Sequence, residues 1–237
     1  MRMFSVAVVG PDGSGKTTIC RRLGESLPLP TRYVYMGVSP ESSNLMLPTT
    51  RLLRAVKRRL GAPPDTHGPR DLRSVRAAPR HPLKRALWTG KSLLSLANRA
   101  AEEWFRQGVT WYYQWRGHVV LFDRHYFPDY YSYDIAPTAE PKPLARRLHG
   151  AMLRHVFPKP ELMIYLDAPA EVLLARKGEG TAEVLEERRR AYLEMGQMVP
   201  HFAVIDATQP EDKVLADAQA LILDFHARRA PSQRKTA

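Results

Sequence analysis

The sequence predicts an α/β fold in which helices cover both faces of a parallel β-sheet. Short apolar runs alternate with helical stretches along the chain, which is the pattern of a buried parallel sheet. Three of these runs end in an aspartate, and such folds place their ligands at the carboxyl ends of the strands. A glycine-rich segment directly follows the first run. These observations indicate an α/β domain with its functional site at one edge of the sheet.

Five apolar runs are the predicted strands. In chain order they cover residues 4–9, 33–36, 119–122, 162–166 and 202–205. Aspartates follow the last three runs: Asp123, Asp167 and Asp206. A first helix is predicted over residues 16–27, where Pro28 ends it. A long helix is predicted from residue 83 to about residue 115, and its apolar spacing places Leu87 and Leu94 in the core.

The composition of the 237-residue chain fits a globular protein with anionic partners. Hydrophobic residues make up 44% and charged residues 25%, which is ordinary for a domain with a packed core. The formal net charge of +12 favours nucleotides, phosphorylated metabolites, nucleic acid or acidic lipid. The single cysteine, Cys20, forms no internal disulfide, and no apolar run approaches the roughly 18 residues of a membrane span. We therefore expect a cytoplasmic protein.

A phosphate-binding loop follows the first predicted strand. Residues 10–17, Gly-Pro-Asp-Gly-Ser-Gly-Lys-Thr, match the pattern G-x-x-x-x-G-K-[ST] between a strand and a helix. Backbone N–H groups and the helix N-terminus bind phosphate oxygens in this context. The sequence therefore predicts a P-loop NTPase fold that binds ATP and Mg²⁺, with Lys16 on the β- and γ-phosphates and Thr17 on the metal. The expected nucleotide contacts of the loop are Gly10, Asp12, Gly13, Ser14, Gly15, Lys16, Thr17 and Thr18.

Asp123 and Arg124 follow the third predicted strand, at the sheet edge that also carries the phosphate loop. An acid beside such a loop can hold the water shell of Mg²⁺ or orient the acceptor, so Asp123 is both a metal-site and a catalytic candidate. The planar guanidinium of Arg124 suits a phosphate, which it can bind through two parallel hydrogen bonds. The alternatives are a strand-end carboxylate that caps a turn and a salt bridge on the surface.

Two of these segments resemble the thymidylate kinases. The loop from Gly10 to Thr18 resembles the loop of that family, whose version carries an acid at the place of Asp12. Phe-Asp-Arg-His-Tyr, at residues 122–126, resembles the family's Asp-Arg-Tyr segment, with His125 in the aromatic position. The resemblance implies that the γ-phosphoryl group of ATP is transferred to an acceptor. It also implies that Arg124 binds the phosphate of the acceptor and that Asp12 contacts its sugar.

Two further segments extend the resemblance to most of the chain outside residues 39–109. Leu-Asp-Ala-Pro at residues 166–169 is similar to the strand that leads into the lid of thymidylate kinases, where Arg176 or Lys177 would neutralise the migrating phosphoryl group. Asp-Ala-Thr-Gln-Pro at residues 206–210 is similar to the family's turn against adenine. The resemblance thus implies nucleotide contacts at Thr208, Gln209 and Pro210. Arg176 and Lys177 have the alternative of being solvated surface cations.

The acceptor half departs from the thymidylate kinase pattern. That family carries Glu-Pro-Gly-Gly after its second strand, whereas this sequence has Tyr-Met-Gly-Val-Ser-Pro at residues 35–40. Residues 51–91 carry twelve Lys and Arg against two acids, Asp65 and Asp71. We therefore predict one P-loop kinase domain over residues 1–237, with a basic insertion at about 39–91 and a lid at about 176–190. The sequence resembles the thymidylate-kinase-like proteins of bacterial polysaccharide gene clusters more than it resembles the thymidylate kinases themselves.

Three functions are compatible with the sequence. The first is a nucleoside monophosphate kinase, and the second is a kinase of the same fold that acts on a sugar or sugar phosphate. The third is a P-loop ATPase that docks on nucleic acid or a membrane through its basic segment. Asp12, Arg124 and Arg176 favour a kinase with a small anionic acceptor over nucleic acid as the partner, and contact with a membrane and a homodimer stay open. We further hypothesise that the basic segment steers the acceptor electrostatically.

Overall fold

The sheet of the protein has the predicted parallel architecture. A computed structural model describes residues 2–38, 43–59, 81–137, 141–178 and 181–229. Five strands in these ranges form one parallel sheet in the order β2-β3-β1-β4-β5. The strands are β1 (Ser5–Val9), β2 (Thr31–Tyr35), β3 (Val119–Asp123), β4 (Leu162–Asp167) and β5 (Phe202–Asp206). Each strand lies within two residues of a predicted apolar run, and the predicted α/β fold is confirmed.

Helices surround this sheet in the described part of the chain. They are α1 (Lys16–Ser26), α2 (Pro48–Arg59), α3 (Pro82–Trp115), α4 (Tyr126–Asp129), α5 (Leu144–His155), α6 (Ala170–Lys177), α7 (Ala182–Gly196) and α8 (Glu211–Arg229), with a π-helix at Tyr131–Ile135. None of the described helices combines the length and the apolar character that crossing a membrane requires.

The strands alternate their side chains between two cores. Val6 and Val8 of β1 pack in one core, on the face that α1 and α8 cover, whereas Ala7 and Val9 pack in the other core. This alternation follows from the two-residue repeat of a strand, and a strand covered on both faces is apolar throughout. Five consecutive residues of β1 are accordingly buried. The cores leave the carboxyl edge of the sheet for polar side chains.

The first half of α3 differs from the sequence prediction. The helix begins and ends where the pattern predicted it, but Leu87 and Leu94 are 68% and 74% exposed and do not belong to the core. No described residue buries these two side chains, so the apolar periodicity identifies a helix without identifying what covers that face. The part of α3 that contacts the sheet buries polar side chains instead, among them Glu103 and Arg106.

A buried ionic cluster joins α3, the π-helix and α5. His149 Nδ1 lies 2.7 Å from Asp134 Oδ2, and His149 Nε2 lies 3.1 Å from both carboxylate oxygens of Glu103. Arg146 donates to the other oxygen of Asp134 at 2.8 Å, and the ring of Tyr130 contacts His149 edge-on. Burial lowers the pKa of His149, but the hydrogen bonds to the two carboxylates outweigh it and raise the pKa above the ordinary histidine value.

Raising the pH should weaken the fold through His149. Because its pKa is raised, the folded state holds the imidazolium proton more tightly than the unfolded chain. This stabilisation is complete below the unfolded pKa of about 6.5 and is lost as the pH rises through the folded pKa. His149→Leu leaves two buried carboxylates facing an apolar group, so we expect it to lower the free energy of unfolding by about 3–5 kcal/mol at about pH 6. Urea titrations at about pH 6 and pH 9 measure both effects.

The matched control is His155→Leu, which changes an exposed histidine of the same helix. It should leave both the stability and its pH dependence near those of the parent protein. An equal loss of stability in the two variants would contradict an ionic role for His149.

Candidate functional site

The phosphate loop joins β1 to α1 and leaves the N-terminus of the helix without a side-chain cap. Gly10 has a φ of 152°, and a Cβ atom on it would lie 2.7 Å from the carbonyl oxygen of Leu166 and from Ser14 Oγ. Gly15 caps α1 in the left-handed conformation, with a φ of 87°, and no side chain accepts from the first turn. Uncapped N–H groups and the positive helix end together bind anions. The loop is therefore built as a phosphate site.

Lys16 is a buried cation at the base of this loop. Its side chain is 5% exposed, and its Nζ donates to the carbonyl oxygen of Pro11 at 2.6 Å and lies 3.8 Å from Asp12 Oδ1. Burial and the nearby guanidinium of Arg124 lower its pKa to about 8, while Asp12, Asp129 and Asp123 oppose that shift. The bound phosphates of a nucleotide would supply the negative charge that this lysine needs.

Asp123 connects the phosphate loop to the neighbouring strand. Its Oδ2 accepts a hydrogen bond from Thr17 Oγ1 at 2.7 Å and another from Tyr33 Oη at 2.8 Å. The other oxygen, Oδ1, is buried and has no hydrogen-bond partner among the described residues. A hydroxyl and a carboxylate side by side are oxygen donors of the kind that Mg²⁺ takes with a nucleotide. The predicted pair Thr17 and Asp123 thus fits Mg²⁺, and sequence reasoning missed Tyr33, which orients Asp123.

Arg124 and Asp12 form an ion pair above the loop. Arg124 Nη2 lies 2.6 Å from Asp12 Oδ1, and both side chains are partly exposed. Burial raises the pKa of Asp12, but the charges of Arg124 and Lys16 outweigh it and lower the pKa to about 2. Arg124 has a φ of 68°, the only positive φ of a non-glycine residue in the described ranges. Such backbone strain concentrates at functional sites, and the two predicted acceptor residues are thus brought together.

The segment after β2 packs tightly against Arg124. A Cβ atom on Gly37 would lie 2.7 Å from Arg124 Cδ and from the ring of Tyr35, so only glycine allows this approach. Arg106 of α3, which is buried, donates to the carbonyl oxygen of Gly37 at 3.0 Å and pairs with Glu102 at 3.3 Å. Arg106 of α3 thus holds the segment after β2, where the sequence departs from the thymidylate kinase pattern.

The two predicted lid cations, Arg176 and Lys177, are both exposed and lie at a similar distance from the phosphate loop. A Cβ atom on Gly13 would lie 3.6 Å from the Cβ of Lys177 and 3.8 Å from the Cβ of Arg176. The charge of Lys177 contributes to the low pKa of Asp12, whereas Arg176 Nη1 donates to the carbonyl oxygen of Ala207 at 2.9 Å. The electrostatic contact favours Lys177 as the lid cation, and that role stays a prediction.

Helix α7 is held against the sheet edge by two contacts. Arg189 binds Asp167 at the end of β4 through two hydrogen bonds of 2.7 and 2.8 Å. Tyr192 Oη donates to the carbonyl oxygen of Gly10 at 3.2 Å, and its ring stacks on Tyr165. Arg189 lies within the predicted lid segment and Tyr192 follows it, and Tyr192 holds the first glycine of the loop.

The predicted adenine turn lies beyond β5, next to Arg176. Asp206 Oδ1 accepts from the backbone N–H and the hydroxyl of Thr208 at 2.9 and 2.6 Å, which fixes the turn. The N–H of Ala207 donates to the carbonyl oxygen of Asp167 at 2.7 Å. Thr208 and Pro210 are exposed, Gln209 is half-buried, and their place as adenine contacts stays a prediction. The same holds for Thr18, which is exposed on α1.

Asp129, at the end of α4, is a site residue that sequence reasoning missed. Burial raises its pKa to about 6, although Arg124, Lys16 and a hydrogen bond from the backbone of Val38 oppose the shift. Its Oδ2 is buried and accepts no hydrogen bond from the described part of the chain. The only sequence signal is an acid six residues after Asp123 in a turn that contains Pro128, and this belongs to no motif.

Comparison with known proteins agrees with this site. The profile of a family described as AAA domain matches residues 4–122, which is half of the chain. The chain belongs to this AAA domain family. The matched residues include β1, the phosphate loop, α1 and β3, and with the parallel sheet they establish a P-loop NTPase fold. Nucleotide binding by this AAA domain follows from the loop.

Two proteins that are similar to this chain are each named "Probable thymidylate kinase", and they come from the R1 and NRC-1 strains of Halobacterium salinarum. Both are 34% identical to this chain over 118 residues, which are 46% of this chain and 57% of the relative. The chain thus matches a little over half the length of these relatives. The likeness supports a kinase-like P-loop protein.

Part of the predicted acceptor region lies outside the described residues. Helix α2 falls within the basic segment, and its Thr50 hydroxyl and the N–H of Leu47, just before it, bind Glu102 of α3 at 3.0 and 3.1 Å. Residues 39–42, 60–80 and 179–180 lie outside the described ranges, as do the side chains of Arg54 and Arg58. The steering hypothesis for this segment therefore stays a prediction.

Replacing Lys16 should weaken nucleotide binding without weakening the fold. Lys16→Met keeps the length of the side chain and removes a charge-assisted contact of about 1.5–3 kcal/mol, so we expect ATP affinity to fall roughly 10- to 100-fold. The melting temperature of the free protein should not fall, because a buried charge is costly to desolvate. Calorimetric titration with ATP and Mg²⁺ measures the first effect, and a thermal melt measures the second.

Lys213→Met on α8 is the control for loss of a positive charge, because Lys213 is 59% exposed and pairs with Asp217. It should bind ATP like the parent protein. Unchanged ATP affinity in Lys16→Met would mean that the phosphates bind elsewhere.

Proposed function

We propose that the protein is an ATP-dependent phosphotransferase of the nucleoside monophosphate kinase type, which transfers the γ-phosphoryl group to a small anionic acceptor. Phosphoryl transfer depends mainly on positioning and on neutralising charge. In this proposal the phosphate loop and Lys16 hold the nucleotide, Thr17 and Asp123 hold Mg²⁺, and Lys177 neutralises the migrating group. When bound, Mg²⁺ would supply neutralisation of the negative charge on the phosphates.

The observation that carries the proposal is the Arg124–Asp12 pair beside the phosphate loop. A P-loop protein that only hydrolyses ATP needs no second anion site next to its γ-phosphate position. Arg124 has a strained backbone conformation, and its guanidinium lies 2.6 Å from Asp12 Oδ1. Gly37 leaves room for the side chain of Arg124. The arrangement supports an acceptor whose anionic group takes the place of Asp12 as the partner of Arg124.

The alternative acceptor is a sugar or sugar phosphate. It is favoured by residues 35–40, which depart from the Glu-Pro-Gly-Gly pattern of thymidylate kinases, and Arg106 of α3 binds the carbonyl oxygens of Tyr35 and Gly37 there. The third function, a P-loop ATPase that docks on nucleic acid or a membrane, relies on the basic segment alone. A homodimer is compatible with each of these functions.

An acceptor panel separates these functions. ADP release and product formation would be measured with ATP and Mg²⁺ in the presence of dTMP, other nucleoside monophosphates, free sugars and sugar phosphates. Acceptor-dependent ADP release with a phosphorylated product supports the kinase, and the accepting compound names the class. ATP hydrolysis that rises only with DNA or anionic vesicles would instead support the docking ATPase.

Arg124→Lys should impair use of the acceptor but not of ATP. A lysine keeps the charge and loses the two parallel hydrogen bonds of the guanidinium. We expect kcat/KM for the acceptor to fall about tenfold or more, or about 1.4 kcal/mol, while the KM for ATP stays within about twofold. Steady-state kinetics with each substrate varied in turn test this.

The control is Arg116→Lys, an exposed arginine just after α3. It should change neither constant. If Arg124→Lys raises the KM for ATP as much as that for the acceptor, Arg124 belongs to the nucleotide site and the proposed acceptor clamp is wrong.

A further inference from the structure

Asp123 and Asp129 each have a buried carboxylate oxygen, Oδ1 and Oδ2 respectively, that accepts no hydrogen bond from any described residue. The other oxygen of Asp123 accepts hydrogen bonds from Thr17 and Tyr33, and in the proposed function its open oxygen is available to Mg²⁺. Asp12 pairs with Arg124, and nothing in the proposed function accounts for the open oxygen of Asp129. A buried carboxylate oxygen without a donor is costly, and such groups in native proteins are rare and often functional. Asp129 is therefore the acid at the site whose open oxygen still needs a hydrogen-bond donor once Mg²⁺ is assigned to Asp123.

The surroundings of Asp129 place it at the acceptor side of the phosphate loop. Arg124 and Lys16 act on its charge as cations, and Asp12 acts on it as an anion. The phenols of Tyr130 and Tyr192 also lie within its electrostatic reach. Asp129 accepts a hydrogen bond from the backbone of Val38, the residue after Gly37, and Gly37 packs against Arg124, the proposed acceptor clamp, so Asp129 lies on the acceptor side of the loop.

The missing partner of Asp129 is a hydrogen-bond donor and not a second anion. A phosphate oxygen that accepts a phosphoryl group carries no proton at neutral pH and would be repelled by a carboxylate. A hydroxyl group donates a hydrogen bond to the carboxylate and loses its proton when it attacks phosphorus. Asp129 is partly exposed as a residue, and the terminal torsion of an aspartate is broad. Rotation of the carboxyl group therefore brings either oxygen to an entering ligand.

We infer that the acceptor is a hydroxyl-bearing anion, phosphorylated on its hydroxyl group, and that Asp129 is the catalytic base that takes the hydroxyl proton. This inference rests on the proposed phosphotransferase function and, of the acceptors considered there, selects the sugar phosphate over a nucleoside monophosphate that is phosphorylated on its phosphate group. The acceptor oxygen forms a bond to the γ-phosphorus, and the bond from that phosphorus to the bridging oxygen breaks, with the bridging oxygen leaving on ADP. The proton passes to Asp129 and then to water, so the step needs no other reactant.

The chemical form of the product tests the substrate class. ATP and Mg²⁺ would be incubated with dTMP and with glucose 1-phosphate, glucose 6-phosphate and glycerol 3-phosphate, and the products analysed by phosphorus NMR. A phosphate ester shows no phosphorus–phosphorus coupling, whereas an anhydride does. We expect an ester from a hydroxyl acceptor. An anhydride as the only product would overturn the inference and leave the proposed function standing.

Asp129→Asn tests the role of the residue with the acceptor so found. The amide oxygen still accepts a hydrogen bond but takes no proton, so kcat should fall roughly 100-fold or more while the acceptor KM stays within about threefold. The parent protein should lose kcat/KM below the pKa of about 6 of Asp129, and this acid limb should be absent from the variant. Asp217→Asn on α8 is the control and should behave like the parent protein.

A thermal melt separates catalysis from structure. The folded pKa of Asp129 is raised above its unfolded value, so ionisation of Asp129 destabilises the fold as the pH rises through that range. Asp129→Asn should therefore raise the melting temperature at about pH 8 and have little effect at about pH 4.5. A variant that loses activity and melts lower at pH 8 would show a structural role and overturn the inference. Transfer to none of the acceptors would overturn the proposed function and this inference with it.

Discussion

The parallel pairing of β1 with β3 is the constraint on which the whole site depends. Val8 of β1 lies opposite Asp123 of β3 in this register, and the N–H of Arg124 donates to the carbonyl oxygen of Val8 at 3.2 Å. The strand that enters the phosphate loop therefore ends beside the strand that carries the acid and the arginine. A slip of one residue would turn Asp123 toward the opposite face of the sheet and separate it from Thr17. The apolar residues that fix the register thus also fix the chemistry.

The charges at this edge are arranged to bind anions while the free protein stays folded. Arg124 lies close enough to Lys16 to lower the pKa of that lysine. Asp12 lies between them, 2.6 Å from Arg124 and 3.8 Å from Lys16, and compensates both. A bound phosphate replaces part of that compensation. In the free protein, Asp12 therefore serves as the anion that both cations contact. Because the Arg124–Asp12 pair is partly exposed, replacing it by a ligand costs little free energy.

The sequence was sufficient for the sheet and the phosphate loop but not for the acceptor side. Five short apolar runs and the loop pattern correctly predicted all the strands described, and Thr17 and Asp123 meet as expected. These features depend on local pattern and on the carboxyl edge that parallel strands share. Tyr33, Gly37 and Asp129 escaped prediction because their roles arise from contacts between segments far apart in the chain. Leu87 and Leu94 were wrongly predicted to be in the core. Helical periodicity identifies an apolar face of a helix but does not show what packs on that face.

Asp129 and Asp134 lie five residues apart and show how hydrogen bonding distinguishes a structural acid from a candidate functional acid in this protein. Asp134 binds His149 and Arg146, and despite burial these contacts hold its pKa below the ordinary value. Asp129 lies on the same stretch of chain, yet burial raises its pKa and one oxygen lacks a donor. Position along the chain does not explain the difference, because both acids have cations within reach. The cations beside Asp129, however, face the phosphate loop and the acceptor position, where a ligand competes for them. Because Asp129 lies beside such cations without being fully paired, its protonation depends on whether a ligand occupies the phosphate loop and the acceptor position.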